Sequence, residues 1–273
     1  MKKRRHLPTI LLILVFLVGL SLLLYPTLSD YWNSLHQSQA IASYAEQVAN
    51  LDRETYKKLW ADAKSYNKTL LNKANRYVLT EEEQEEYNEL LNVSGNGIIG
   101  YIEIPEINCS LPIYHGTDEA TLQIAVGHIA GTSLPVGGKS THCVLSGHRG
   151  LPSAKLFTNL DQLTEGDLFM LRVLDQTLTY EVDQIRIVEP QETSDLEIQK
   201  GKDLCTLVTC TPYGVNTHRL LVRGHRVKNQ DTGSIKVTAD AMQIDPVIVA
   251  PLVAVPMLLA LLIVLLVRTR RKK

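Results

Sequence analysis

The sequence predicts a mainly β domain, a closed or nearly closed barrel with short helices, preceded by a helical arm and flanked by two transmembrane helices. Three observations carry this expectation. Residues 95–228 hold many short β-branched and apolar runs at close spacing, separated by turns, the pattern of a small barrel. Residues 29–94 are polar with helical periodicity, and no Pro or Gly interrupts residues 27–94. Two long apolar runs lie near the ends, at residues 7–24 and 247–267, and each adjoins a cluster of bases.

The first run follows Lys2, Lys3, Arg4 and Arg5. Its length fits a membrane span or the apolar part of a signal peptide. No small-x-small cleavage site follows it, only Tyr25-Pro26 and then Asp30-Tyr31-Trp32, so an uncleaved anchor is expected over 7–28. The second run, within 246–267, ends in Arg268-Thr-Arg-Arg-Lys-Lys273 and contains Pro251 and Pro256, which a membrane helix tolerates. Bases outside both spans place residues 1–6 and 268–273 in the cytoplasm and everything between the spans outside it. Setting those nine bases aside leaves 19 bases against 29 acids, an interior of about −10. That balance argues against a nucleic-acid partner, which needs a basic face.

Within the arm, Ile41, Tyr44, Ala45 and Val48 form one helical stripe; Leu59, Ala63, Tyr66 and Leu70 form another. Thr80 followed by Glu83 reads as a capping box that starts a further helix, with Tyr87, Leu90 and Leu91 on its apolar side. The arm is either a stalk or a cover over the site. Gly95-Asn-Gly97 opens the barrel region, where strands are expected at 98–104, 109–114, 141–146, 167–174, 177–187, 206–211 and 217–226. Short helical turns are expected at 118–124 and 153–160. Residues 229–245 read as a polar tether to the second span.

The chemistry concentrates at three strand ends. Cys210 closes an extended run just before Thr-Pro-Tyr-Gly; Arg219 enters the next strand; His148 leaves the run Val144-Leu-Ser-Gly-His148. If the two strands pair, thiol and guanidinium lie side by side. A thiol is a poor nucleophile until it ionises, which a neighbouring cation favours. Cys205, five residues earlier, falls on the opposite face of a regular strand, and Cys109 and Cys143 read as structural. Spacing leaves rivals: His115, His128, His142, His218 and His225 for the imidazole, and Arg149, Arg223 and Arg226 for the guanidinium. Arg223 shares the face of Arg219, so parity does not choose between them. No Cys-x-x-Cys or i, i+4 histidine spacing points to a metal, and no cofactor is expected. On spacing alone, thiol acyl transfer and a non-catalytic, membrane-tethered binding barrel stand level.

Motifs separate the two. Thr206-Leu-Val-Thr-Cys210 resembles the TLxTC motif of sortases, the cysteine transpeptidases of Gram-positive cell surfaces. Ser146-Gly-His148-Arg149-Gly150 is similar to their histidine segment, and Asn216-Thr-His-Arg219-Leu-Leu-Val-Arg-Gly to their arginine strand. The likeness runs from about residue 95 to 226 and is strongest to the class C, pilus-building branch, which also has a helical arm and a second membrane segment. The resemblance implies an eight-stranded barrel with Cys210 as nucleophile, His148 as proton donor to the leaving amine, and Arg219 on the substrate backbone and oxyanion. It implies cleavage of an LPXTG-like sorting signal between Thr and Gly. A lysine amine of another pilin subunit, or a cell-wall precursor in a wall-anchoring sortase, then takes the acyl group. The Asp-Pro-aromatic lid motif common in class C is missing between residues 30 and 94; the nearest candidates are Asp52-Arg53 and Asn75-Arg-Tyr77.

Overall fold

A computed structural model describes residues 7–73, 75–229, 254–259 and 263. The chain divides into two units: residues up to Trp32 together with those from Val237 onward, and Asn33–Lys236. In the first, helix α1 begins; it runs Leu7–Ala49 with Pro26 inside it. Among the described residues it is the one helix long and apolar enough to cross a membrane, and Ile10, Leu11, Leu14, Val15 and Leu22 are exposed along it. The expected division at 28/29 is not a break in structure: the helix changes composition, not conformation, as it passes from apolar to polar residues. Of the expected second span, residues 254–259 are helical. The rest of that span, both basic tails and nearly all of the 229–245 tether lie outside the described residues.

The second unit is an eight-stranded closed barrel. Its strands are β1 (Ile98–Ile104), β2 (Cys109–His115), β3 (Val126–His128), β4 (Thr141–Ser146), β5 (Leu168–Val173), β6 (Gln176–Val188), β7 (Asp203–Thr211) and β8 (His218–Arg226). Around the barrel the order is β1-β2-β3-β4-β7-β8-β6-β5. The pairs β2–β3 and β4–β7 are parallel and the others antiparallel. Seven of these strands match expected runs; β3 has only three residues and shows no alternation to read.

Side-chain alternation gives β4, β7 and β8 two different faces. Cys143, Leu145, Cys205, Leu207, Leu220 and Val222 enter the main core around Phe169 and Tyr180, whose rings stack at 5.5 Å. Val144, Val208 and Leu221 point the other way and join Val188 in a second apolar cluster. Leu196, from the turn Ser194–Leu196 between β6 and β7, covers that cluster. Cys210 follows Val208 by two residues and so shares this outer face.

The arm completes the main core. Helix α2 (Arg53–Thr69) starts at Asp52, whose carboxylate accepts from the amides of Glu54 and Thr55 at 2.9 Å. Helix α3 (Glu81–Glu89) starts with the expected capping box: Glu83 N donates to Thr80 Oγ1, and Thr80 N donates to the Glu83 carboxylate. Ala63, Tyr87 and Leu91 belong to the barrel's own core cluster. Asn67 exchanges two hydrogen bonds with the backbone of Leu134, at 2.7 and 3.0 Å. Tyr44 of α1 donates to Ile99 O and accepts from Leu174 N. The arm is thus no free stalk: part of it packs into the barrel's core. Of its apolar stripes, Tyr44, Ala63 and Leu70 are buried, Ile41, Val48, Leu59 and Tyr66 are half-buried, and Ala45 is exposed.

Candidate active site

The ladder between β7 and β8 sets the first pair. Cys210 lies directly opposite Arg219, and Thr206 opposite Arg223. Register therefore separates two arginines that parity left equal. Arg223 donates to Asp183 at 2.8 Å, and its register partner Thr206 is four residues before the thiol. Arg219 is half-buried, and its Nη1 donates to two carbonyls of its own turn, Asn216 at 3.3 Å and His218 at 3.1 Å.

The parallel ladder between β4 and β7 brings in the histidine. Ser146 pairs with Val208, and the contact continues beyond β4, where Gly147 N donates to Val208 O at 3.0 Å. Thr209 Oγ1 donates back to Gly147 O at 2.8 Å. Two residues past the Ser146–Val208 pair on each chain stand His148 and Cys210, both half-buried at the barrel rim. Gly147 is required between them for a steric reason: a Cβ there would stand 2.7 Å from the Phe157 ring. Phe157 in turn holds the segment, its N–H donating to His148 O at 3.1 Å.

The rival residues have other partners. His128 is fully buried, with Nδ1 at 2.7 Å from Tyr87 Oη and Nε2 at 2.9 Å from Ser133 O. His115 Nε2 lies 2.7 Å from Leu90 O. His142 spans Glu197 O and Thr206 Oγ1 at 2.9 and 2.7 Å. Burial pushes both His115 and His142 down to about 4, so each stays neutral. His225 sits near Asp183 at 3.7 Å, and His218 meets Thr217 Oγ1. Arg226 reaches Thr179 O and the ring of Tyr180 at the other end of β7 and β8.

The remaining thiols face inward. Cys143 and Cys205 are register partners inside the barrel, and burial holds the Cys205 thiol well above its ordinary range. Cys109 is half-buried, its thiol 4.0 Å from Leu156 O and pushed up to about 12 by burial. Among the described residues no group of His, Cys, Asp and Glu is arranged to hold a metal.

Two arrangements near the rim had no periodic signal in the sequence. Arg149 bridges the carboxylate of Asp161 and Thr211 Oγ1, next to the ring of Tyr213. Arg76, in the link between α2 and α3, pairs with Glu197 at 3.1 Å and donates to Leu196 O and Tyr77 Oη. Of the candidate lid segment, then, Arg76 is seated in the protein, at 8% exposure, whereas Tyr77 is 36% exposed. The link is tied to the turn that covers the outer face of β7. Asp52 serves as the N-cap of α2.

Comparison with known proteins agrees with this architecture. Residues 102–227 match the sortase domain. Sortase C1 of Streptococcus agalactiae superposes with a TM-score of 0.69 at 54% identity, over 70% of this chain and 100% of that one. Sortase C of Clostridium perfringens, solved with the C-terminal cell wall sorting motif, gives 0.62 at 43% identity, over 70% of this chain and 99% of that one. Sortase D of Bacillus subtilis (strain 168) is 35% identical over 131 residues, which is 47% of this chain and 63% of that protein. The chain thus spans less than two thirds of that relative.

Proposed function

The chain belongs to the sortase family of cysteine transpeptidases, and from that premise we propose that it is a membrane-anchored, pilin-joining enzyme with Cys210, His148 and Arg219 as its reacting groups. The observation that carries the assignment is the pairing of β7 on both sides, with Arg219 opposite Cys210 on β8 and the Ser146–Val208 pair on β4 two residues short of His148 and Cys210. Cys210 as thiolate adds to the carbonyl carbon of the Thr–Gly bond in an LPXTG-like signal. The C–N bond then breaks as His148 gives its proton to the departing glycine amine, leaving a thioester. Arg219 donates to the oxyanion, a charge present only while the tetrahedral species exists and therefore the one worth stabilising. A lysine amine of another subunit attacks the thioester and passes its proton to His148. The Cys210 thiolate leaves, and an isopeptide bond remains.

The class C relatives and the docked arm favour a pilin amine over a cell-wall precursor as acceptor. The anchor is α1, with a second span over 246–267 and the barrel outside the cell. The test is capture of a sorting peptide as a thioester by the full chain. Hydroxylamine-sensitive adduct on Cys210 is expected, and a lysine-bearing pilin should then discharge it faster than a wall-precursor amine does. Absence of any Cys210 adduct would refute the reading, and preferential discharge by the wall precursor would transfer it to anchoring. External protease should remove the barrel from intact cells; protection would refute the orientation.

A further inference from the structure

Arg149 is a largely enclosed cation that the proposed chemistry does not use. It directly follows His148, yet its side chain is only 9% exposed. Its guanidinium reaches two other segments of the chain, around Asp161 and over Thr211–Tyr213. Nη2 pairs with the carboxylate of Asp161, on the turn Leu160–Gln162 that precedes β5. Nη1 donates to Thr211 Oγ1 at 3.2 Å, on the residue that follows Cys210. The ring of Tyr213 in the β7–β8 loop stands 5.9 Å away and lies against Gly150, where a Cβ would come within 3.0 Å of it. Nε is buried with no partner.

Burying an arginine is costly, and an apolar side chain of similar volume would serve packing as well or better. The contact pattern supplies the reason for the cost. One planar fork ties the residue after the imidazole to the residue after the thiol, and anchors both to Asp161. Lysine, with a single ammonium, does not address a carboxylate and a hydroxyl in fixed directions at once.

We propose that Arg149 is a positioning residue: it holds the segment carrying His148 at a fixed separation from the strand end carrying Cys210, with Asp161 setting the direction of its fork. The proposal rests on the reading of Cys210 as nucleophile. No proton or electron moves through Arg149. Its effect is on distance, where an error of about 1 Å costs about a hundredfold in rate.

The test compares the full chain in detergent with its Arg149→Ala, Arg149→Lys and Asp161→Asn variants. Peptide turnover with a lysine acceptor is one readout, and the rate of Cys210 alkylation by iodoacetamide at neutral pH is the other. Arg149→Ala should lose about a hundredfold in kcat with KM within about twofold, and its Cys210 should alkylate about tenfold more slowly, because the thiol loses its partner. Added guanidinium ion should restore part of both, Arg149→Lys should fall between, and Asp161→Asn should lose about tenfold in kcat. Unchanged kcat in Arg149→Ala would overturn the proposal. So would a kcat loss that follows a lowered melting temperature and that guanidinium does not reverse. If Arg149→Ala does not fold, the isosteric Asp161→Asn decides, and wild-type kcat there overturns it. Should the wild-type chain capture no peptide, the transpeptidase reading falls. The alkylation arm then decides by itself: slowing reversed by guanidinium supports positioning, and an unchanged rate overturns it.

Discussion

The barrel meets the arm at one place and opens to its rim at another, and the two regions treat polar groups in opposite ways. At the arm, Tyr87 is fully buried; its hydroxyl meets His128 Nδ1 and accepts from Gly116 N, and its ring meets His115 edge-on at 4.8 Å. Asn67 and Leu134 satisfy each other nearby. Here the polar groups are dry and matched, the condition under which a buried network rigidifies a fold. At the rim, Cys210, His148 and Arg219 are each half-buried, and Arg219 bonds to carbonyls of its own turn. The lesson is a division of labour. Polar residues that hold the arm are enclosed, whereas those assigned to chemistry stay reachable and are held by their backbones and neighbours.

Substitutions can break that contrast from either side. The largest effect is expected at the rim: Cys210→Ala should abolish peptide capture with the fold intact. Cys205→Ala should retain capture and lower stability by about 1–2 kcal/mol, through the cavity it leaves. Mass spectrometry of adducts and thermal melting separate the two; capture by Cys210→Ala would end the assignment. At the arm the balance reverses. Tyr87→Ala should cost about 3–5 kcal/mol and Tyr87→Phe about 1–2 kcal/mol through the stranded His128 nitrogen. Activity per folded molecule should be unchanged in both, checked by denaturant titration beside peptide capture.

Next in size are the paired arginines. Arg219→Ala should lose about 10²–10³ in kcat, the scale of a lost oxyanion donor. Arg223→Ala should keep kcat within about threefold while destabilising the fold by leaving Asp183 unpaired. The reverse outcome would move the role to Arg223. The fourth prediction concerns pH. His115 and His142 fall to about 4 when folded, against an ordinary 6.5, so the unfolded chain binds more protons between those values. Stability should therefore be full above about pH 6.5 and decline as pH falls toward 4, by on the order of 3 kcal/mol per imidazole. His115→Gln should flatten the melting curve against pH; an unaltered slope would count against it. The smallest effect is expected from Arg76→Ala, about 1 kcal/mol, because its partner Glu197 is more than half exposed. A faster proteolytic cut within 190–200 would register the loosened turn.

The sequence made most of the barrel legible, for physical reasons that also explain the exceptions. Strands such as β1 and β4 are long enough for apolar runs and turn residues to show, whereas β3 acquires its conformation only by pairing with β2 and β4. Tyr44, Ala63, Leu70 and Tyr87 were visible as stripes, since a 3.6-residue period survives in the sequence whatever it packs on. The depth of that packing was not visible: Ala63, Tyr87 and Leu91 enter the barrel's core itself. At the site, the motifs around Cys210 and His148 marked the segments. Parity did not choose between Arg219 and Arg223; the motif resemblance named Arg219, and the β7–β8 register puts that residue opposite Cys210. Arg149 and Arg76 were beyond reading because a charged loop residue has no periodicity; their partners Asp161 and Glu197 are 12 and 121 positions away along the chain.

The parallel pairing of β4 with β7 has a consequence for when the site comes into being. Antiparallel neighbours can form by a local turn, but the β4–β7 pair closes a loop that contains the whole β5–β6 hairpin, since Ser146 meets Val208 across 62 steps of chain. Such distant contacts form late, because the entropy of closing the intervening loop is lost before the contact returns anything. In an unfolded chain Cys210 and His148 are therefore unrelated side chains, and the segments that carry them come together only when β4 pairs with β7. On the assignment proposed above, the three reacting groups are assembled by completion of the fold and by no local segment of it.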